Sequence, residues 1–199
     1  ILRAAKPKSH DDATGYNLWN TSIGPRQLID QLTGSEGTLA IITSITFRIS
    51  PLKPHFLTTC IPVAKKELLA SYIEIAKHHK AENIFLYDET FMQLSERYYP
   101  SLVPSFAHTP YVLLVTHRGN DKESLSHTVR TLHRALPLEQ NELRVLEDRK
   151  TFEKITDSNF LFSLYTLYTN NTLMPIPTGN GCIVSLHRLS SYLTALETY

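Results

Sequence analysis

The sequence predicts an α+β fold, because short apolar segments with strand character alternate with longer segments of helical period. The alternation begins at about residue 56 and continues to the end of the 199-residue chain. Apolar residues make up 42% of the chain, which is enough to bury a core of ordinary size. Strands joined by helical crossovers predict a ferredoxin-like antiparallel sheet with helices on one face.

The composition argues against several classes of partner and site. The formal net charge is +1 and the basic residues are scattered, so neither nucleic acid nor an anionic membrane is expected as a partner. No apolar run approaches the ~20 residues of a membrane-crossing helix, and the first residues lack the order of a signal peptide. The segment His10-Asp11-Asp12 contains ligand types, but three adjacent residues do not easily converge on one ion, so no metal site is predicted.

The two cysteines, Cys60 and Cys182, each lie in an apolar, strand-like run. Buried free thiols are the favoured interpretation, and a disulfide is the alternative. Free thiols fit a reducing compartment, so a cytoplasmic protein is expected.

The first segment of the chain is predicted to hold one helix and one strand. Pro25 suits a first helical turn and the apolar residues of 25–32 share one face, so a helix is expected there. Residues 39–49 are first apolar at nearly every position and then alternate, which predicts a long strand with a buried first half. Pro51 and Pro54 interrupt this pattern, and we place a domain boundary between residues 53 and 54.

The second segment is assigned from its periodicity. Apolar residues at helical spacing indicate helices at 64–80, 89–98, 121–135, 151–168 and 189–196. Short runs rich in β-branched and aromatic residues indicate strands at 56–63, 83–88, 111–117, 142–146 and 182–186. The helical residues expected to face the core include Leu68, Leu69, Tyr72, Ile73, Ile75, Ala76, Leu125, Val129 and Leu132.

Two of the seven glycines, Gly34 and Gly37, bracket a Ser-Glu pair just before the predicted strand at 39–49. One interpretation is a tight turn that leads into a core strand. The other is a backbone cradle, because free N–H groups at a glycine turn bind phosphate or the edge of a heterocycle. The spacing of the two glycines does not decide between them.

The full decapeptide from Gly34 to Thr43 (GSEGTLAIIT) resembles a motif of the FAD-linked oxidase family. This is the vanillyl-alcohol-oxidase type of flavoprotein, which includes D-lactate and D-2-hydroxyglutarate dehydrogenases and the glycolate oxidase flavin subunit. Residues 14–18 (TGYNL) and 48–54 (RISPLKP) resemble the family at matching distances, so the likeness covers residues 9–54. The segment 182–189 (CIVSLHRL) resembles part of the family's cap domain more weakly.

The chain also departs from the family pattern. Ala40 replaces a glycine, Ser185 replaces a proline, and Asn180-Gly181 stand where an acidic pair is usual. The family's pyrophosphate loop and its His-x-Gly-Asp-Gly motif are missing. The chain lacks an initiator Met and stops within an amphipathic helix. We therefore expect a middle piece, with 1–53 as the end of the flavin domain and 54–199 as the first part of the cap, which alone should not bind FAD tightly or be active.

The resemblance implies a set of residues that line an FAD site. In that set Gly34 and Gly37 form the turn, and backbone groups of Ile41 and Ile42 meet the adenine or ribityl part. Glu36 has two open roles, as a carboxylate that stabilises the turn or as a cofactor contact. The implied cofactor-binding residues are Gly15, Tyr16, Asn17, Gly34, Ser35, Glu36, Gly37, Thr38, Ile41 and Ile42.

A substrate contact is also considered in the cap. His117 and Arg118 follow the predicted strand at 111–117, and an Arg can clamp a carboxylate, although a surface loop is the simpler interpretation. The family implies oxidation of a small 2-hydroxy acid, a CH–OH donor, by hydride transfer to the flavin. The alternative function is a non-catalytic, truncated relative that serves as an interaction module. The electron acceptor and the oligomeric state stay open, with a homo-oligomer as one of the alternatives.

Overall fold

The computed structural model describes residues 16, 25–98, 108–139, 142–147, 149–156 and 184–198. The chain divides into a first compact unit, residues 1–51, and a second, residues 52–199. Among the described residues, no helix is long and apolar enough to cross a membrane. The sequence-based assignments at Gly15, Asn17, Cys182 and 157–168 lie outside the described residues.

The first unit contains helix α1, Pro25–Leu32, which confirms the predicted helix. The predicted strand at 39–49 is wrong, because residues 40–53 adopt neither helix nor strand. Residues 39–54 make no backbone hydrogen bond to any other described residue, and Ile41 and Ile49 are 92% and 87% exposed. An alternating apolar pattern becomes a strand only where a neighbouring strand pairs with its backbone and another layer covers its apolar face.

The second unit is built on a four-stranded sheet whose neighbouring strands are all antiparallel. Its order is β2-β3-β1-β4. The long central pair runs from His55↔Gly119 to Val63↔Tyr111. The strands are β1 His55–Val63, β2 Asn83–Asp88, β3 Tyr111–Gly119 and β4 Arg144–Leu146.

Five helices connect or cover these strands in the described part of the second unit: α2 Leu69–His78, α3 Glu89–Tyr98, α4 Lys122–Ala135, α5 Arg149–Thr156 and α6 Leu189–Glu197. Short 3₁₀ turns at Lys66–Leu68 and Leu186–Arg188 precede α2 and α6. The helix at 64–80 therefore starts later than predicted. The strand predicted at 182–186 is wrong over its described part, where residue 186 begins a 3₁₀ turn.

Helices cover both faces of the sheet, so the prediction of helices on one face is wrong. Leu113 and Val115 of β3 pack with residues of α2 and α4. Their neighbours Val112 and Leu114 point to the opposite face and pack with residues of α3. Phe152 of α5 also lies on that second face, against Phe56 and Phe85. The sheet is a middle layer, which explains the continuous apolar run in β3.

The carboxyl end of α2 closes in a Schellman motif. The N–H of Ala81 bonds to the carbonyl of Ala76 at 3.1 Å, and the N–H of Lys80 bonds to that of Lys77 at 3.0 Å. Lys80 occupies the left-handed position of the motif, with φ 60°. Glycine is the usual residue there, because a Cβ atom makes the left-handed conformation costly.

We therefore expect Lys80→Gly to stabilise the protein, by about 0.5–1 kcal/mol. The measurement is the urea unfolding midpoint, compared with wild type and with Lys80→Ala. The alanine variant is the control because it removes the same long side chain but keeps the Cβ strain. A gain in Lys80→Ala equal to that of Lys80→Gly would show that the lysine side chain, and not the backbone, carries the cost.

Candidate functional site

The predicted turn is present in the first unit, directly after α1. Gly34 has φ 79°, and the N–H of Ser35 bonds to the Leu32 carbonyl at 3.2 Å. Ser35 is buried, and its carbonyl accepts the N–H of Thr38 at 2.9 Å. The two residues between them have positive φ, 49° at Glu36 and 78° at Gly37, which is the signature of a type I′ turn. The chain therefore reverses at the two glycines, as predicted.

Tyr16 connects this turn to the other predicted motif. Its hydroxyl lies 2.8 Å from the Oγ1 of Thr38, although the two residues are 22 positions apart. The same Oγ1 lies 2.5 Å from the carbonyl oxygen of Ser35, to which it donates. The structure thus brings together Tyr16 and the 34–38 turn. Gly15 and Asn17, the other members of that motif, lie outside the described residues.

The outer edge of the turn offers hydrogen-bond donors. Within the described part of the chain, the N–H groups of Glu36 and Gly37 have no hydrogen-bond partner. A Cβ atom built on Gly37 would meet nothing within 4 Å. Successive free N–H groups in a positive-φ turn can bind an anion or the edge of a heterocycle. Glu36 is exposed, and no described side-chain contact assigns it the turn-stabilising role.

Ile41 and Ile42, the other predicted cofactor contacts, lie in the exposed segment after the turn. Their side chains are 92% and 56% exposed. Their backbone groups make no hydrogen bond to another described residue. These groups are therefore available to a ligand, but the structure does not test the predicted contact.

His117 lies within β3 rather than after a strand, and it is enclosed in the second unit, with 1% of its surface exposed. Its Nε2 lies 3.1 Å from the carbonyl of His79, so Nε2 carries the proton and donates. Its Nδ1 has no partner among the described residues. Burial lowers the pKa of His117 below its ordinary value; the hydrogen bond to the His79 carbonyl opposes this shift, and the charges of His79 and His133 lower the pKa further.

Arg118 points to the opposite face of the sheet from His117. Its Nε lies 3.3 Å from Oε1 of Glu82, and its guanidinium carbon lies 5.6 Å from the ring centre of Phe56. Glu82 therefore already occupies the Nε side of the Arg118 guanidinium. Packing and ion pairing account for the positions of both His117 and Arg118, and their role in binding substrate stays a prediction.

An open cavity of about 210 Å³ lies beside the start of β1 and the start of α4. Lys122 and Glu147 line it, with their charged atoms 3.8 Å apart. No sequence motif predicted this cavity, because its residues come from segments far apart in the chain. Among the described residues, no group of three or more His, Cys, Asp or Glu side chains is arranged to hold a metal ion.

Cys60 is a free thiol with no exposed surface, as predicted. Burial raises its pKa to about 12. A thiol in this setting is neutral at physiological pH and does not act as a nucleophile.

No family model matches the chain. The chain is similar to a D-lactate dehydrogenase from Anaerostipes hadrus, with 30% identity over 122 residues. The alignment covers 58% of this chain and 25% of that enzyme, so the chain spans about a quarter of the length of the relative that it matches. This partial likeness to an oxidoreductase adds to the motif likeness of the first unit.

Proposed function

We propose that the chain is part of an FAD-dependent oxidoreductase that oxidises a small 2-hydroxy acid of the D-lactate or glycolate type. Residues 1–53 would be the end of the flavin-binding domain, and residues 54–199 would be the first part of the substrate domain. The observation that carries this proposal is the hydrogen bond between Tyr16 and Thr38. It brings two separate family-like motifs together at a turn that has free backbone donors.

The turn fits one part of an FAD molecule. The free N–H groups of Glu36 and Gly37 suit an anionic or heterocyclic acceptor, and the open space at Gly37 allows close approach. Bound FAD would supply the hydride acceptor for the oxidation of the hydroxyl-bearing carbon. The chain's own contribution at this point would be to bind and orient the cofactor through the backbone of the turn and of Ile41 and Ile42.

The second unit is compatible with the proposed cap. Its strands occur in the order β1, β2, β3, β4, with α2 between the first two and α4 between the last two. In the sheet, the two central strands are β1 and β3, and all neighbours are antiparallel. This order supports a ferredoxin-like sheet that carries an additional helix, α3, between β2 and β3.

The substrate class is supported by the partial similarity to an enzyme named D-lactate dehydrogenase. The test uses the full-length protein, purified with added FAD and desalted. We expect a yellow protein whose flavin absorption is bleached by D-lactate or glycolate without oxygen, and which reduces an artificial dye in their presence. L-lactate is the matched control, because it offers the same groups with the opposite stereochemistry.

A full-length protein that retains no flavin would overturn the proposed function and favour the interaction module. A protein that retains flavin but is bleached by none of these acids would contradict the substrate class alone. The two outcomes are separate, because flavin retention is measured before any substrate is added.

A further inference from the structure

Two hydroxyl groups form a directed chain to the turn at residues 35–38. The carbonyl of Ser35 can only accept, so the Thr38 hydroxyl, 2.5 Å away, donates its single proton to it. Thr38 Oγ1 can then only accept from the Tyr16 hydroxyl, which lies 2.8 Å away. The direction is therefore fixed: Tyr16 donates to Thr38, and Thr38 donates to Ser35. We call this chain the hydroxyl relay.

The relay stabilises a turn that is unfavourable on its own. Glu36 has φ 49°, a left-handed conformation in which the Cβ atom of a non-glycine residue crowds the following carbonyl oxygen. The turn is closed at the Ser35 carbonyl, which accepts both the N–H and the hydroxyl of Thr38. If this carbonyl lost its second bond, the turn would be held by one backbone bond against the strain at Glu36. The free N–H groups of Glu36 and Gly37 would then no longer be held in one orientation.

The relay also determines what Tyr16 can do. The residue is 46% exposed, but its one hydroxyl proton is donated to Thr38. A phenol in this state cannot donate a hydrogen bond to a ligand. The effect of Tyr16 on a bound molecule would therefore pass through Thr38 and the turn.

We propose that Tyr16 is a positioning residue, which orients the backbone donors of the 35–38 turn for the cofactor through Thr38. This inference rests on the proposed FAD site, because the turn needs orienting only if it binds a ligand. It differs from the implication of the family resemblance, which named Tyr16 among the residues that bind the cofactor themselves.

The test compares FAD affinity in the full-length protein, measured by quenching of flavin fluorescence. We expect Tyr16→Phe and Thr38→Val each to weaken binding, by about fivefold for one lost hydrogen bond. We expect the double variant to bind like Thr38→Val alone, because Tyr16 acts through Thr38. Thr38→Ser keeps the hydroxyl and should restore wild-type affinity. Thr33→Val is the matched control, because Thr33 lies just after α1 and its hydroxyl donates to the Ile29 carbonyl, away from the relay.

A second readout uses the protein without cofactor. The relay predicts faster hydrogen exchange of the Thr38 N–H in Tyr16→Phe and Thr38→Val than in wild type, with Thr38→Ser unchanged. This measurement stands even if a variant is destabilised, because exchange of amides in α1, which belongs to the same unit, reports separately on unfolding of that unit.

Wild-type protein that binds no FAD would overturn the proposed function and this inference together. Wild-type protein that binds FAD, with Tyr16→Phe equal to it in affinity and in exchange, would overturn the relay alone. Additive losses in the double variant would also overturn it, because they would mean that Tyr16 contacts the cofactor independently of Thr38.

Discussion

We expect Leu69→Ala to lower the free energy of unfolding by about 2–5 kcal/mol, the largest stability effect among the substitutions considered for this protein. Leu69 is the first residue of α2 and has no exposed surface. It packs among Leu113, Val115 and Leu132 between the helices and the sheet. Truncation removes buried methyl groups and leaves a cavity that the surrounding strands can fill only partly.

The neighbouring residue provides the control for this prediction. Leu68 has the same side chain and lies one position earlier, but 38% of its surface is exposed. We expect Leu68→Ala to cost less than ~1.5 kcal/mol, because much of the side chain is already in water. The measurement is chemical denaturation followed by circular dichroism. Equal losses in the two variants would mean that α2 does not dock on the sheet through Leu69.

The same pair of residues illustrates how far the sequence predicts the fold. The apolar stripe of the helix at 64–80 placed both leucines in the core, because helical periodicity does not resolve where the first turn begins. The structure begins α2 at Leu69, after a 3₁₀ turn. Elements with a clear local pattern were predicted with their observed bounds, as in β2 and α3. Periodicity is a local property, so it predicts the type of an element better than its docking.

The missed features depend on contacts between distant residues. The apolar alternation of 39–49 predicted which side chains would share a face, but the described chain provides no strand to pair with them. The strand β3 continues to Gly119 because β1 pairs with it as far as His55. The sequence of 111–117 alone does not show that β1 is the neighbouring strand, so the predicted strand ended too early. The apolar run in β3 indicated that both faces of this strand are covered, because a face exposed to solvent would not require apolar residues.

For the candidate site, the sequence predicted the turn but not what stabilises it. Glycines at 34 and 37 indicate positive φ, and both have it. The bond between Tyr16 and Thr38 follows no periodic rule, because a hydroxyl pair 22 positions apart depends on the path of the intervening chain. His117 was considered as a substrate contact, with a surface loop as the simpler interpretation; its burial was missed because it depends on the position of α4 and the end of α2.

The burial of His117 leads to an expected loss of stability in mild acid. The side chain faces His79 at the end of α2 and His133 on α4, and its register partner on β1 is the uncharged Leu57. Glu82, which lies just before β2, pairs with Arg118, and the Arg118 side chain points to the opposite face of the sheet from His117. A proton added at Nδ1 would therefore be buried beside two other histidines without an acceptor among the described residues.

The direction of the pH effect on stability follows from a comparison of proton binding by the folded and the unfolded chain. Burial lowers the pKa of His117 below its ordinary value of 6.5 in the folded protein, and burial also lowers the pKa of His133. As pH falls through 6.5, the unfolded chain binds protons that the folded chain does not. Stability is therefore complete above pH 6.5 and is lost as pH falls toward the folded pKa values. The slope is at most about 1.4 kcal/mol per pH unit for each histidine.

The measurement is the free energy of unfolding from pH 8 to pH 5, above the range in which ordinary carboxylates titrate. His117→Gln should flatten the curve below pH 6.5, because an amide can still donate to the His79 carbonyl but does not titrate. His127→Gln replaces an exposed histidine of α4 and should follow the wild-type curve. Equal slopes of unfolding free energy against pH in wild type and His117→Gln would contradict this prediction. They would mean that the protonated imidazole at position 117 reaches water or an acceptor, and that α4 and the end of α2 do not enclose it.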